Sequence, residues 1–259
     1  MGQVTKYPQG TFCWMDSQST DVEKDKAFYQ AVLGWQINDI PIGDGQFYTM
    51  FQKNGGDVAG LGQAQDATIP SHWNAYVSVD DVDAITAKVK DLGGQVMMPP
   101  MDVFDNGRMA VITDPTGAAL AFWQPKNHIG ATLVNEDGAL VWNELLTTDP
   151  EVAMTFFGKL LGWTFSKMKE MDYWIIHNNE RMNGGIMQLA ADWGDLPPHW
   201  MNYIHVDELD SVLKKVDANG GHLVHGPVDT SAGTFAIIAS PSGAAFSVIQ
   251  SNTVDEWVE

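Results

Sequence analysis

Cysteine is nearly absent from this 259-residue chain: only Cys13 is present. An internal disulfide and a cysteine-only metal site are therefore excluded. Cys13 sits between Phe12 and Trp14 in an apolar run, where a thiol is expected to be buried and inert. Basic residues are also scarce, 14 Lys and Arg against 33 Asp and Glu, for a formal charge of -19. A field of that sign repels phosphate backbones and anionic lipid, so neither nucleic acid nor a membrane surface is expected as a partner. No run of 18 apolar residues occurs, and the first residues lack the apolar stretch of a leader, so a cytoplasmic protein is expected. A Gly-rich phosphate loop is missing too; Gly55-Gly56 and Gly184-Gly185 read as turn or bulge residues. Hydrophobic residues nevertheless make up 44% of the chain, too much for a disordered one.

The strongest positive signal is an internal repeat. Gly10–Ile37 matches Gly138–Phe165 at an offset of 128, with Trp14/Trp142, Thr20/Thr148, Asp21/Asp149, Phe28/Phe156, Leu33/Leu161, Gly34/Gly162 and Trp35/Trp163 identical. The match returns at His72–Gly94 with His199–Gly221, and again at Arg108–Gln124 with Thr234–Gln250. Three matches in near-constant register define a duplication. Residues 1–125 are expected to form one domain, 126–137 a polar linker and 138–259 a second domain.

Each domain divides again. In the first, an extended run (Thr11–Met15) leads into a helix that Thr20 or Asp21 caps and Gly34 stops, with Ala27, Phe28, Ala31 and Val32 as its apolar stripe. Strand-like runs follow at 46–52 and 58–63. A second extended run (Trp73–Val79) leads into a helix with Asp80 as the expected cap and Gly93-Gly94 as the stop. Strands are then expected at 95–98, 109–113 and 118–124, the last two joined by the turn Asp114-Pro115-Thr116-Gly117. The cluster Asp80, Asp81, Asp83 is a helix start, since it lacks the pattern of a calcium loop. Ser19, Ser71 and Ser240 have no base at a recognisable spacing.

The run Thr20-Asp21, Phe28-Tyr29, Leu33-Gly34-Trp35, followed by Val79-Asp80-Asp81-Val82-Asp83 and Asp114-Pro115-Thr116-Gly117, resembles the glyoxalase, bleomycin-resistance and dioxygenase (vicinal oxygen chelate) superfamily. The second domain repeats it with Leu161-Gly162-Trp163, Val206-Asp207-Glu208 and Ser240-Pro241-Ser242-Gly243. The resemblance covers residues 10–124 and 138–250. It implies an α+β fold of four βαβββ units, paired within each domain into a cup-shaped mixed sheet around one ligand site. It leaves activity open, because the superfamily hosts isomerases, lyases, dioxygenases and binding proteins. A fused pair holds both halves of each cup, so a monomer is expected to suffice, with a homodimer the alternative.

Enzymes of this superfamily hold a divalent metal on strands facing into the cup. The resemblance places those ligand positions at Trp14, Asn74 and Ala121, and at Trp142, Met201 and Ser247. None is the imidazole or carboxylate that such a cation takes, so no metal or other cofactor is expected there. Gln63 and Gln188 occupy matching places on the fourth strands. A relocated metal site drawn from Glu144, His205 and His177 is the alternative.

Strand alternation gives a second view of the cups. In the first, Phe12, Trp14 and Asp16 are expected to face inward with Asn74, Tyr76, Ser78, Ala119, Ala121 and Trp123. In the second, Leu140, Trp142 and Glu144 share a face, as do Met201, Tyr203 and His205, with Ser247 on the last strand. Trp35/Trp163 and Trp73/Trp200 read as core. Aromatic walls with one carboxylate suit a planar or cationic organic ligand, which makes Trp14, Asp16, Asn74, Tyr76, Trp123, Trp142 and Tyr203 candidate binding residues. Glu144 and His205 are candidates for acid–base chemistry. Two functions follow: a small-molecule-binding protein without the metal, or a lyase, isomerase or dioxygenase working metal-free or through the relocated site.

Overall fold

The duplication is visible in the strand order of the computed structural model, which describes residues 4–66, 68–169, 171–190 and 193–254. The first half contains β1 (Phe12–Ser19), α1 (Val22–Leu33), β2 (Gln36–Gly43), β3 (Gln46–Lys53) and β4 (Gly56–Gln63). These are followed by β5 (His72–Ser78), α2 (Val82–Val89), β6 (Gln95–Val103), β7 (Gly107–Thr113) and β8 (Ala119–Pro125). The second half repeats this as β9 (Leu140–Thr147), α3 (Pro150–Leu161), β10 (Thr164–Lys167), β11 (Tyr173–Asn178) and β12 (Arg181–Gln188). Then come β13 (His199–His205), α4 (Leu209–Ala218), β14 (His222–Thr230), β15 (Gly233–Ala239) and β16 (Ala245–Ser251). Each half makes its own eight-stranded mixed sheet, in the orders β2-β3-β4-β1-β5-β8-β7-β6 and β10-β11-β12-β9-β13-β16-β15-β14. The expected α+β fold of paired βαβββ units is the observed one.

Local sequence explains the helices. Asp21 and Asp149 cap α1 and α3, accepting from Lys24 N and Val152 N, and Gly34 and Gly162 end them in the left-handed conformation. The cap of α2 is Asp81 rather than the expected Asp80: its carboxylate accepts from Ala84 N at 2.9 Å, three residues on. β2 was not marked by the hydrophobic pattern. It is an edge strand exposed along nearly its whole length, so burial imposes no alternation on it.

The helices of the two halves pack against each other, α1 on α4 and α2 on α3, so the convex faces lie back to back and the cups open away from one another. In one part of this interface Phe246 meets Tyr29 and Trp73, with Trp35 and Phe51 packed behind Tyr29, while Phe12 and Phe157 meet Trp163 and Trp200 in the other. Trp35 Nε1 donates to Gly138 O (2.7 Å) and Trp163 Nε1 to Gly10 O (2.8 Å), so each stop-signal tryptophan ties its domain to the other. Asp25 of α1, fully buried, accepts from both the backbone N–H and the hydroxyl of Ser242 in the other domain's turn. Among the described residues no helix is long and apolar enough to cross a membrane.

Candidate functional site

A bulge early in the opening strand of each domain decides what enters the cup. On β1 the register jumps between Phe12↔Val77 and Trp14↔Tyr76, and on β9 between Leu140↔Ile204 and Trp142↔Tyr203. The extra residue reverses the alternation. Phe12 and Leu140, expected inside the cups, therefore lie in the interdomain cores, while Trp14 and Trp142 face the cups.

In the first cup Asp16 lies opposite Asn74. Its carboxylate is 3% exposed and receives four donors: Asn74 Nδ2 at 2.9 Å, Tyr76 OH at 3.1 Å, Tyr48 OH at 3.2 Å and Gln18 Nε2 at 3.2 Å. Trp14 Nε1 in turn donates to Tyr48 OH at 3.3 Å. Burial pushes the Asp16 carboxyl up, against the pull of the Asn74, Tyr76 and Tyr48 hydrogen bonds. Burial and the nearby carboxylate hold both tyrosines well above their usual range, so they remain donors.

The second cup repeats the pattern with fewer donors. Tyr203 OH donates to Glu144 Oε1 at 3.0 Å, the Tyr173 hydroxyl acts on the same carboxylate, and Trp142 Nε1 donates to Tyr173 OH at 2.9 Å. Met201 lies opposite Glu144 where Asn74 faces Asp16, and Leu146 stands where the first cup has Gln18. Burial raises the Glu144 carboxyl, opposed by its two tyrosines. Both clusters depend on a glycine across the parallel ladder, Gly60 beside Asp16 and Gly185 beside Glu144. A Cβ on either would run into the hydroxyl of Tyr48 or Tyr173.

Trp14, Asp16, Asn74, Tyr76 and Trp123 thus gather in the first cup, and Trp142, Glu144 and Tyr203 in the second. Glu144 and His205 are not brought together. Four residues of β13 separate His205 from the level of Glu144, about 13 Å along an extended strand. The imidazole instead meets Asp207 at 3.3 Å and accepts from Ser251 N at 3.4 Å. His177 lies four residues along β11 from Tyr173 and pairs with Ser166 Oγ at 2.7 Å. The convergence of Glu144, His205 and His177 that a relocated metal would need is absent from the structure. Tyr48, Tyr173 and the two glycines were missed in the sequence; their signal was a shared offset of 125 between Tyr48 and Tyr173 and between Gly60 and Gly185.

The positions that the resemblance assigns to metal ligands do not suit a cation. Trp14 Nε1 is a donor spent on Tyr48, Trp142 and Ala121 offer no lone pair suited to a cation, and Met201 offers only a soft thioether. The neutral oxygens Asn74 Oδ1 and Ser247 Oγ remain, one in each cup, with no imidazole or carboxylate at any of the six positions. Gln63 turns its amide to Ser19 O and, like Gln188, is exposed. Among the described residues no three His, Cys, Asp or Glu side chains come together. Cys13 is fully buried and its thiol pushed up by desolvation, which leaves it unreactive. The floors of both cups are filled by side chains. Two cavities, about 390 and 230 Å³, lie elsewhere, one between α2 and β6 and the other at the domain junction near Lys53 and Asp137.

The family model described as Glyoxalase/Bleomycin resistance protein/Dioxygenase superfamily matches residues 14–122 and 139–248. The chain is 43% identical over 258 residues to "Putative glyoxylase CFP32" of Mycobacterium tuberculosis, covering 96% of this chain and 98% of that one. It is 32% identical to "Anthracycline biosynthesis protein DauV" of a Streptomyces species, covering 95% of each. The Mn(II)-bound glyoxalase of Novosphingobium aromaticivorans shares the fold, with a TM-score of 0.64 at 18% identity over 97% of this chain and 87% of that one.

Proposed function

The chain belongs to the Glyoxalase/Bleomycin resistance protein/Dioxygenase superfamily, and from that premise we propose that it binds a small planar organic molecule without the metal of its enzymatic relatives. The observation that carries this reading is the buried carboxylate held by two tyrosines in each cup, Asp16 with Tyr48 and Tyr76, Glu144 with Tyr173 and Tyr203. A buried carboxylate supplied by few neutral donors, as Glu144 is by its two tyrosines, keeps a preference for a further donor or a cation, and aromatic walls add stacking to it. Ligand thus rests on the cup floor and is recognised by hydrogen bonding and aromatic contact.

A second reading, metal-free acid–base catalysis by a lyase or isomerase, is favoured by one feature. The Glu144 carboxyl, raised by burial, stands within hydrogen-bond reach of the Tyr203 hydroxyl at 3.0 Å, a pair of groups between which a proton can be held. The test is a screen of planar aromatic compounds by tryptophan fluorescence on metal-analysed protein, with and without chelator. Saturable binding unaffected by chelator is expected. Binding or turnover that requires one divalent metal per chain overturns the proposal, and chelator-resistant turnover lost in Glu144→Gln establishes the second reading.

A further inference from the structure

The two cups carry the same cluster but differ in what covers it. The linker and the segment before β1 enter the first cup: Val4, Tyr7, Ala131, Val134 and Ile129 share one apolar cluster with Trp14, Tyr76 and Trp123 of the floor. The linker is pinned there by Ala131 N to Cys13 O (2.7 Å), Tyr7 OH to Ala131 O (2.7 Å) and Trp123 Nε1 to His128 O (2.8 Å). The His128 ring stands edge-on to Trp14 at 4.8 Å and to Trp123 at 5.9 Å. Its Nε2 is buried without a hydrogen-bond partner. The imidazole thus packs against both indoles of the floor, where a bound ring would otherwise lie.

The second cup is covered by nothing comparable among the described residues. Its apolar cluster consists of β-strand residues and Leu189, and Trp142 is only partly buried where its counterpart Trp14 is 5% exposed. The carboxylates differ in the same sense. Asp16 is saturated by four donors, while Glu144 has two tyrosines and apolar neighbours in Met201 and Leu146.

We infer that the interdomain linker, through His128, is the resident occupant of the first cup, so that small molecules bind only in the second, where Glu144 takes a hydrogen-bond donor or positive charge from a planar ligand. This rests on the ligand-binding reading above and assigns its site and ligand class. The chemistry selects a flat cation or N–H donor over an anion, because a carboxylate buried among neutral donors repels a second negative charge.

The experiment is titration of the full chain with 9-aminoacridine, a planar aromatic cation, at raised salt to screen the acidic surface. Stoichiometry is read by calorimetry and fold by thermal melting. One site is expected in the wild type, weakened at least tenfold by Glu144→Gln. His128→Gly is expected to open a second site, which remains in the His128→Gly/Glu144→Gln double variant; His128→Ala serves if the glycine variant unfolds. Two sites in the wild type, a single site indifferent to Glu144→Gln, or one site still in folded His128 variants overturns this inference alone. No binding to any folded variant overturns the ligand-binding reading with it.

Discussion

Gly60→Ala tests whether the carboxylate–tyrosine cluster is a packed unit or a chance juxtaposition. A Cβ built on Gly60 falls 2.5 Å from Tyr48 Cζ and nearer still to its hydroxyl, where ordinary contact begins at 3.4 Å. The ring must therefore retreat by about 1 Å at Cζ and by about 1.6 Å at its hydroxyl. Tyr48 OH already stands 3.2 Å from Asp16 Oδ2 and 3.3 Å from Trp14 Nε1, so that displacement breaks both hydrogen bonds. Loss of one donor to a buried carboxylate costs ~1.5–3 kcal/mol, and the overpacked strand adds ~1–3 kcal/mol. A destabilisation of about 3–5 kcal/mol is expected. Denaturant unfolding at 25 °C measures it, and the double variant with Tyr48→Leu should recover part of the loss, because the clash is removed with the ring. A Gly60→Ala protein within 1 kcal/mol of wild type would refute the reasoning, as would a double variant no better than the sum of the two singles.

Glu144→Gln should change the pH dependence of stability. The folded state raises this carboxyl, so it binds the proton more tightly than the unfolded chain does. The wild type therefore loses stability as pH rises from the ordinary carboxylate range through the folded pKa, and the glutamine variant lacks that loss. Unfolding free energies from pH 4 to 8 should show the difference moving in favour of the variant as pH rises; a flat or opposite trend contradicts the burial argument. Asp25→Ala removes the acceptor of two Ser242 donors at the domain interface and should cost ~2–5 kcal/mol, with Asn recovering part of it. Denaturant titration checks this, and an unchanged midpoint would show that the contact does not couple the domains.

Much of the architecture is written in local chemistry that any reader of the chain can follow. The paired Trp14/Trp142, the caps Asp21/Asp149 and the stops Gly34/Gly162 each do the same work in both halves, because capping and helix termination depend on residues within one turn of each other. The strand alternation also brought Asp16, Asn74 and Tyr76 to one face correctly. Three things needed the tertiary structure. The bulges that send Phe12 and Leu140 out of the cups arise from pairing with β5 and β13, which lie some 60 residues away in sequence. Tyr48 and Tyr173 join the carboxylates across a parallel ladder, and only the glycine opposite each carboxylate leaves room for the hydroxyl. The sharing of a face by Tyr203 and His205 was legible, but not how far along the strand each stands, so Glu144 and His205 remain apart. The sheet supplies the third coordinate: alternation tells which side of a strand a residue faces, while register and the path of the linker decide what it meets there.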